Sequence, residues 1–382
     1  MSKIVLVTGA QGFLGQNLVT TLERTDGVVV RTFLRGDAVH SLAEKLIGVD
    51  LVYHLAGVNR PKSDDEFEVG NAGLTRELVG HARTITEPPL IVFLSSVQAG
   101  LDNAYGRSKV AAEEALVELH EQTGAPIAIY RLPNLFGKWS KPHYNTVVAT
   151  FCHEIARGRV IEVADPDHEL ELAYVDDVVD RLLRHLSEPV EPSITRCHVE
   201  KTFSVTLGRL ATLIEELRDT RTTLRMPDLS DGFVRRMYAT YLSFLPAEDF
   251  AYPVTLRTDE RGSLFELLKS DHFGQIFVSK TKPGITRGNH SHNTKVEKFT
   301  VVSGKAIVRL RHLITQQRVE YPVDGRDVRV VDIPPGYTHS IENVGDDDMI
   351  VLFWASEVFD PGRPDTYASA VLEASSAATV EP

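Results

Sequence analysis

Two regimes of hydrophobic patterning follow one another along the chain. Up to about Leu186, short unbroken apolar runs, among them Ile4-Val-Leu-Val7, Val28-Val-Val30 and Leu90-Ile-Val-Phe-Leu94, are separated by longer stretches whose apolar residues recur at helical spacing. Such runs read as strands buried on both faces and the intervening period as amphipathic helices. The region therefore predicts an α/β fold with a doubly wound parallel sheet. Residues 187–245 mix turn signals with helical stretches at Val205–Arg218 and Val234–Leu245. From Phe250 the pattern becomes short strands and turns without a long helical period, which predicts an all-β barrel. The expected division is 1–245 for the first domain and 246–368 for the second. The tail from Ala368, counted as 369–382 in that division, is rich in Ala, Ser and Val and reads as a frayed, disordered end.

Composition narrows the picture. A chain of 382 residues is long enough for two domains with full cores, and 42% apolar with 25% charged residues is ordinary for a soluble protein. The net charge of −12 argues against a nucleic-acid partner, because neutralising phosphates needs basic patches. Two cysteines, Cys152 and Cys197, give no disulfide framework, and no apolar run reaches the length of a membrane span. A cytoplasmic protein without a membrane partner is expected.

The first apolar run enters Thr8-Gly9-Ala-Gln11-Gly12-Phe13-Leu14-Gly15, with glycines at intervals of three, and then a helical period begins. A strand, a glycine turn and a helix N-terminus together present free backbone N–H groups and the positive end of the helix dipole, which suit a dinucleotide pyrophosphate. Gly9, Gln11, Gly12, Phe13, Leu14 and Gly15 are the candidate cofactor contacts. Discrimination between dinucleotides rests at the end of the second strand, where an acidic group accepts from the ribose of NAD and an arginine accommodates the 2′-phosphate of NADP. Arg35 stands twenty residues past Gly15, and Asp37 follows only after Gly36, which favours NADPH.

The run Leu90–Leu94 ends in Ser95-Ser96, and Tyr105-Gly-Arg-Ser-Lys109 places a tyrosine and a lysine four apart, on one helix face. A lysine ammonium so placed lowers the tyrosine pKa by proximity. The phenol can then exchange a proton with a carbonyl or carbinol oxygen that a serine hydroxyl also holds. For an anionic substrate in a negative chain, Arg131, Lys141, Asn145 and Arg157 are the candidate donors.

The second half carries its own chemistry. Gly284 is followed after five residues by His290-Ser-His292, then by Glu297 and Gly304, and a later Pro334-Pro-Gly-Tyr-Thr-His339 brings a third histidine. His290, His292, Glu297 and His339 make a three-nitrogen, one-oxygen set suited to Zn, Fe, Mn or Ni, with zinc the first choice. The spacing argument is strand alternation: residues two apart face one side, and an antiparallel neighbour brings the carboxylate to the same interior. Both stretches resemble the two cupin motifs. The second departs at its front, where Val328 replaces the expected glycine and the nearest is Gly325.

The first half resembles the extended short-chain dehydrogenase/reductase family over roughly residues 1–245. The resemblance includes His54-Leu-Ala-Gly57, Arg131-Leu-Pro-Asn134-Leu-Phe-Gly137 and Tyr174-Val-Asp-Asp177-Val. It implies Ser96, Tyr105 and Lys109 as a catalytic triad, Leu55 and Ala56 as further cofactor contacts, and Arg131, Asn134, Lys141 and Asn145 as substrate contacts. Only eight residues separate Ser96 from Tyr105, so Ser95 or Gln98 could stand in for Ser96. Joined to a C-terminal cupin, the whole resembles CapF-type enzymes of bacterial capsule and O-antigen synthesis, also through Trp139-Ser-Lys-Pro-His-Tyr-Asn145 and Thr240-Tyr-Leu-Ser-Phe-Leu-Pro246. That likeness implies a homodimeric, bifunctional enzyme acting on a UDP-linked 4-keto amino sugar. The cupin would epimerise C3, with Tyr337, Lys298 or Glu342 as candidate bases. The reductase would then reduce C4 with NADPH, giving UDP-2-acetamido-2,6-dideoxy-L-talose, a precursor of UDP-N-acetyl-L-fucosamine. Two alternatives stay open: a reductase whose cupin is only structural, and a nucleotide-sensing module without turnover.

Overall fold

In the computed structural model the apolar runs pair side by side as parallel strands. The structure describes residues 2–372 apart from Arg60, Lys62, Asn145 and Pro189. In chain order the first unit contains β1 (Lys3–Thr8), α1 (Phe13–Leu22), β2 (Val28–Phe33), α2 (Ser41–Leu46), β3 (Leu51–His54), a helical turn α3 (Asp65–Phe67) and α4 (Leu74–Ala82). There follow β4 (Leu90–Ser96), α5 (Ala104–Thr123), β5 (Ile127–Leu132), β6 (Asn134–Phe136), α6 (Val147–Ile155), β7 (Glu169–Tyr174), α7 (Val175–Leu183) and β8 (Ile194–Cys197). It closes with β9 (Phe203–Thr206), α8 (Leu207–Thr223) and α9 (Gly232–Leu242).

The main sheet has the order β2-β1-β3-β4-β5-β8, every pairing parallel. Leu6, Ile91 and Ile129 face a core shared with α2, α4 and α5, while Val5, Val92 and Tyr130 face one shared with α1 and α7. Alternate residues of each strand thus serve opposite faces, which is why the strands read as unbroken apolar runs. A smaller sheet, β6-β7-β9, and the helices α6, α8 and α9 enclose a third core around Phe136, Phe151 and Leu210. Strand order reverses between β1 and β3, and ligands of such sheets bind outside the carboxyl ends of the strands at that point.

The second unit contains β10 (Arg257–Asp259), β11 (Gly262–Ser270), β12 (Gly274–Thr281), β13 (Thr286–Ser291), β14 (Glu297–Ser303) and β15 (Lys305–His312). It continues with β16 (Arg318–Asp324), β17 (Val330–Ile333), β18 (Tyr337–Asn343), β19 (Met349–Ala355) and β20 (Tyr367–Ala368). Two sheets form, β10-β11-β12-β19-β14-β17 and β16-β15-β18-β13-β20. Their strand pairings are antiparallel. Phe299, Val331 and Phe353 of the first meet Val308, Leu310 and Ile341 of the second in one core.

The first unit runs on to Ala247, and the boundaries differ in two larger respects from those read in the sequence. Asp219–Asp231 groups with the second unit, although the sequence reading kept it in the first. The cause is backbone pairing: Lys269 N donates to Leu224 O and Met226 N to Lys269 O, both at 2.7 Å. The tail does not fray at Ala368. Ser369 N donates to Asn289 O at 2.8 Å, Val371 is buried, and Arg311 holds Ser369 Oγ and Ala370 O. Residues 373–382, the rest of the expected disordered tail, lie outside the described residues. Cys152 and Cys197 are both free and buried.

Candidate functional site

A cleft of about 2150 Å³ opens at the carboxyl ends of β1 to β5. Its floor is the glycine turn. Gly9 has φ +69°, and a side chain there would meet Ala56 N at 2.7 Å, while one on Gly15 would meet Gly9 O at 2.2 Å. The chain therefore passes close under the end of β3 before α1 starts. Gly12 caps α1 without a side-chain hydrogen bond, so the first N–H groups of the helix keep no side-chain partner. Gln11, Phe13 and Leu14 line the same floor, with Leu55 and Ala56 opposite. Arg35 stands exposed at the rim. Asp37 is turned back: its carboxylate accepts from Leu34 N at 3.0 Å and from Lys45 Nζ at 2.7 Å, which holds it below the usual carboxylate range.

The polar wall is made by β4 and α5. Ser96 Oγ accepts from Gln98 N at 3.2 Å and lines the cleft together with Tyr105. Lys109 is buried, donates to Leu94 O at 3.0 Å, and its Nζ lies 5.9 Å from the Tyr105 ring centroid. Burial lowers the Lys109 ammonium to about 8, with Glu113 acting in the opposite direction. The Tyr105 phenol is raised by burial, partly offset by Ser96. The sequence reading had Lys109 lowering the tyrosine; here burial outweighs any such effect, and Ser96 supplies the lowering contact. Of the two stand-ins for Ser96, Ser95 is committed elsewhere, donating to Glu113 Oε1 at 2.5 Å. Gln98 lines the cleft but touches Ser96 through its backbone.

The substrate candidates separate. Asn134 and Lys141 line the cleft, beside Trp139 and Tyr144. Arg131 does not: it turns to the other face of the sheet and donates from Nε and Nη2 to Glu113 at 2.9 and 2.7 Å. Strand alternation explains this, since Leu132 next to it is the residue that faces the cleft. Arg157 donates to His153 O and Phe244 O and is no part of the cleft lining. Asn145 lies outside the described residues.

Two further residues escaped the sequence reading. Asn71, in a π-helical segment Glu68–Gly73, accepts from Val58 N at 2.7 Å and donates to Ser108 Oγ at 2.9 Å, so it ties the loop after β3 to α5. A buried asparagine within a helix leaves no periodic signal. Glu113 is different, because it continues the spacing Tyr105, Lys109, Glu113 by one more turn. His54 is a structural residue, hydrogen-bonded to Thr8 and Thr75 and pushed by burial down to about 3.

In the second unit His290, His292, Glu297 and His339 converge, each offering a ligand atom within 4.8 Å of the others. His290 on β13 is the register partner of His339 on β18. A bulge at Asn289, φ +60°, bends the strand end, and His292 lies just past it. Glu297 opens β14, whose neighbours are β17 and β19 rather than β13, so the sequence reading of a neighbouring strand is corrected. The carboxylate reaches the histidines across the core, from the opposite sheet. Nε2 of His292 and of His339, both buried without a hydrogen-bond partner, stand 3.3 and 3.2 Å from Glu297 Oε2. His292 Nδ1 is 2.5 Å from Asp365 O, which fixes its ring orientation. Glu297 is held down to about 2 by the two histidines despite its burial, and burial lowers His290 to about 4. Orphaned imidazole nitrogens around a depressed carboxylate fit a divalent cation. Among the candidate bases, Lys298 and Glu342 point away and pair with Asp332 and Arg309. Tyr337 shares the face of His339 and packs on His312 at 4.9 Å.

Comparison with known proteins joins the two halves. The NAD dependent epimerase/dehydratase family matches residues 5–196, and the polysaccharide biosynthesis C-terminal domain matches 257–367. The UDP-2-acetamido-2,6-beta-L-arabino-hexul-4-ose reductase of Pseudomonas aeruginosa is 43% identical over 369 residues, 97% of this chain and 99% of that protein. The crystal structure of the capsular polysaccharide assembling protein CapF from Staphylococcus aureus is 44% identical, with a TM-score of 0.87 over 96% of this chain and all of that one. The chain belongs to this CapF-type family. A UDP-glucuronic acid 4-epimerase from Bacillus cereus, 16% identical with a TM-score of 0.51 over 56% of this chain and 82% of that one, shares the fold of the first unit's kind only. The epimerase/dehydratase half of CapF-type chains implies a nicotinamide cofactor, and the close-packed glycine floor with an uncapped helix start fits one. No helix among the described residues is long and apolar enough to cross a membrane.

Proposed function

We propose that this chain is a bifunctional nucleotide-sugar enzyme. It epimerises C3 of a UDP-2-acetamido-2,6-dideoxy-4-keto-hexose in the second unit and reduces C4 with NADPH in the first, giving UDP-2-acetamido-2,6-dideoxy-L-talose. The observation that carries the reading is Ser96, Tyr105 and Lys109 meeting in the cleft that the glycine turn floors. The name of the Pseudomonas aeruginosa relative, a reductase of a UDP-hexul-4-ose, supports the substrate class.

When bound in the cleft, the reduced nicotinamide would supply a hydride to C4. Tyr105 gives its hydroxyl proton to the C4 oxygen, Ser96 orients that oxygen, and Lys109 sits behind the phenol to stabilise the phenolate left behind. Asn134 and Lys141 line the cleft where the anionic sugar nucleotide needs donors. NADPH is preferred because Arg35 stands free at the rim while Asp37 is engaged by Lys45.

In the second unit the cupin reading gives His290, His292, Glu297 and His339 as ligands of a divalent metal, zinc in the first place. Bound there, such an ion would supply Lewis-acid polarisation of a carbonyl or a template that orients the sugar. The C3 hydrogen is acidic beside the C4 ketone, and Tyr337, on the ligand face of β18, is the base we favour. The proposal includes a cytoplasmic homodimer, which light scattering on the intact chain tests. Incubation with the UDP-4-keto sugar in deuterated water, with and without NADPH, followed by NMR, tests both activities. Deuterium at C3 without NADPH and a C4 alcohol with it are expected. Reduction without exchange would leave the second unit a structural part.

A further inference from the structure

Beyond the triad, the end of β4 is bound to α5 by a repeating contact. Leu94 O accepts from Lys109 Nζ at 3.0 Å, Ser95 Oγ donates to Glu113 Oε1 at 2.5 Å, and Ser96 lines the cleft with Tyr105. Two successive strand residues thus bond to helix residues one turn apart, and the third strand residue, Ser96, shares the cleft with Tyr105 one turn earlier on the same helix face. Glu113, 4% exposed, is the hub of the middle contact. It also accepts from Arg131 of β5 through two nitrogens and from Arg196 Nη1 of β8 at 3.3 Å. A single carboxylate therefore ties together β4, β5, β8 and the helix that carries Tyr105.

We propose that Glu113, held by Ser95, Arg131 and Arg196, is a positioning residue for the reduction. It keeps Ser96 and the Tyr105–Lys109 face in register, and its negative charge stabilises the ammonium of Lys109 behind the reacting phenol. The inference rests on the reductase reading above and goes beyond it, since Glu113 touches neither substrate nor cofactor.

The need for a charge, and not only a hydrogen-bonding shape, follows from what surrounds Lys109. The groups facing it are Tyr105 and Glu113 on its own helix and His54 on β3, with the Phe93 ring of β4 5.1 Å from Nζ. His54 is kept neutral by burial and by the nearby ammonium, and a histidine offers Lys109 no counter-charge in either form. Glu113 supplies one against the burial that favours the neutral amine. The carboxylate is in turn stabilised by Arg131 and Arg196, which keep it ionised although it is buried. An amide at 113 would still accept from Ser95 and from one arginine, but it would take away this charge.

The test uses the full chain, with NADPH oxidation by the UDP-4-keto sugar measured from pH 6 to 10. Glu113→Gln is expected to lower kcat roughly tenfold at pH 8 with little change in KM, and to move the alkaline limb of kcat down by about one pH unit. The direction is the same whether that limb reports Lys109 or Tyr105, because loss of a nearby negative charge favours deprotonation of either. Ser95→Ala keeps the charge and removes one contact, so it should lower kcat about threefold and leave the limb in place. An unmoved limb in folded Glu113→Gln overturns the inference. Should Glu113→Gln fail to fold, an unchanged kcat in Ser95→Ala overturns it instead. Tyr105→Phe, run alongside, separates the two levels: turnover there sinks the reductase reading itself, whereas an inactive Tyr105→Phe beside an unaltered Glu113→Gln sinks only the role of Glu113.

Discussion

In the first unit the proposed reacting groups sit on successive turns of one helix and at the end of a single strand, β4, whereas in the second the four candidate ligands come from two different sheets. Electrostatics separates them further. Lys109 is depressed to about 8 and Tyr105 is raised, each chiefly by burial. Glu297 is also buried, yet it is depressed to about 2, because His292 and His339 crowd its oxygen. Groups strained by burial and facing an open cleft are set up to exchange protons with a substrate. Groups that crowd one another at a carboxylate support the proposal that they share a cation.

The largest effect should come from crossing the two sites in the full chain. Tyr105→Phe is expected to lower NADPH oxidation by about 10² to 10⁴ while NADPH binding, followed by fluorescence titration, stays nearly intact. The same variant should keep C3 deuterium exchange in the absence of NADPH. His339→Ala should do the reverse, losing exchange and keeping NADPH binding. If Tyr105→Phe lost exchange as well, the two chemistries would not be divided between the units as proposed.

The second test bears on the cluster alone. His290→Ala, His292→Ala, Glu297→Ala and His339→Ala should each fall from one equivalent of bound metal to a small fraction of it, since every ligand contributes to a buried set. Elemental analysis of the four purified variants measures this. One equivalent retained throughout would refute the site and leave the orphaned imidazoles without an explanation.

A third test concerns the energetic contrast. The folded pKa of Lys109, about 8, lies below the ordinary 10.5, so the fold disfavours its ammonium. That cost is present in full below pH 8 and disappears as pH rises from 8 to 10.5, where the unfolded chain still binds the proton and the folded one does not. Lys109→Met, which keeps the length of the side chain, should therefore stabilise the first unit at pH 7 by up to about 3 kcal/mol, less the lost hydrogen bond to Leu94 O. Urea unfolding at pH 7 and pH 10 checks it: the gain should shrink at the higher pH while turnover is lost at both. No such remedy is expected at Glu297, whose depressed pKa makes its charge stabilising.

Much of the first unit was legible because its chemistry is local. Strand, glycine turn and helix are consecutive in the chain, and Tyr105 and Lys109 need only helical spacing to share a face. Arg131 was misplaced for a tertiary reason: the side of β5 that faces the cleft is settled by pairing with β4 and β8, and it falls to Leu132. In the second unit the four clustered residues were legible as a spaced motif, but their assembly was not. Glu297 arrives from the sheet opposite His290 and His339, a relation no short spacing encodes. The missing turn glycine at Val328 is a smaller case. Gly325 is the residue packed against the backbone, where a side chain would meet Ser303 Cα at 2.6 Å, so the close approach is displaced along the chain rather than absent.

The smallest effect sharpens the reading of the cleft's rim. Arg35 is exposed and Asp37 is occupied by Lys45 and Leu34 N, so just past β2 the arginine presents its charge while the neighbouring carboxylate is already engaged. Arg35→Asp should reverse that balance, removing the partner of the 2′-phosphate and adding repulsion. The ratio of KM for NADH to KM for NADPH should fall by about tenfold, with kcat little changed, because the interaction is the same in ground and transition states. A companion change, Lys45→Met, should release Asp37 and lower the ratio by a smaller factor, as the freed carboxylate becomes available to the ribose of NADH. If Arg35→Asp left the ratio unchanged while Lys45→Met moved it, Lys45 itself would be the phosphate partner, and the ion pair with Asp37 would be a state that cofactor binding breaks.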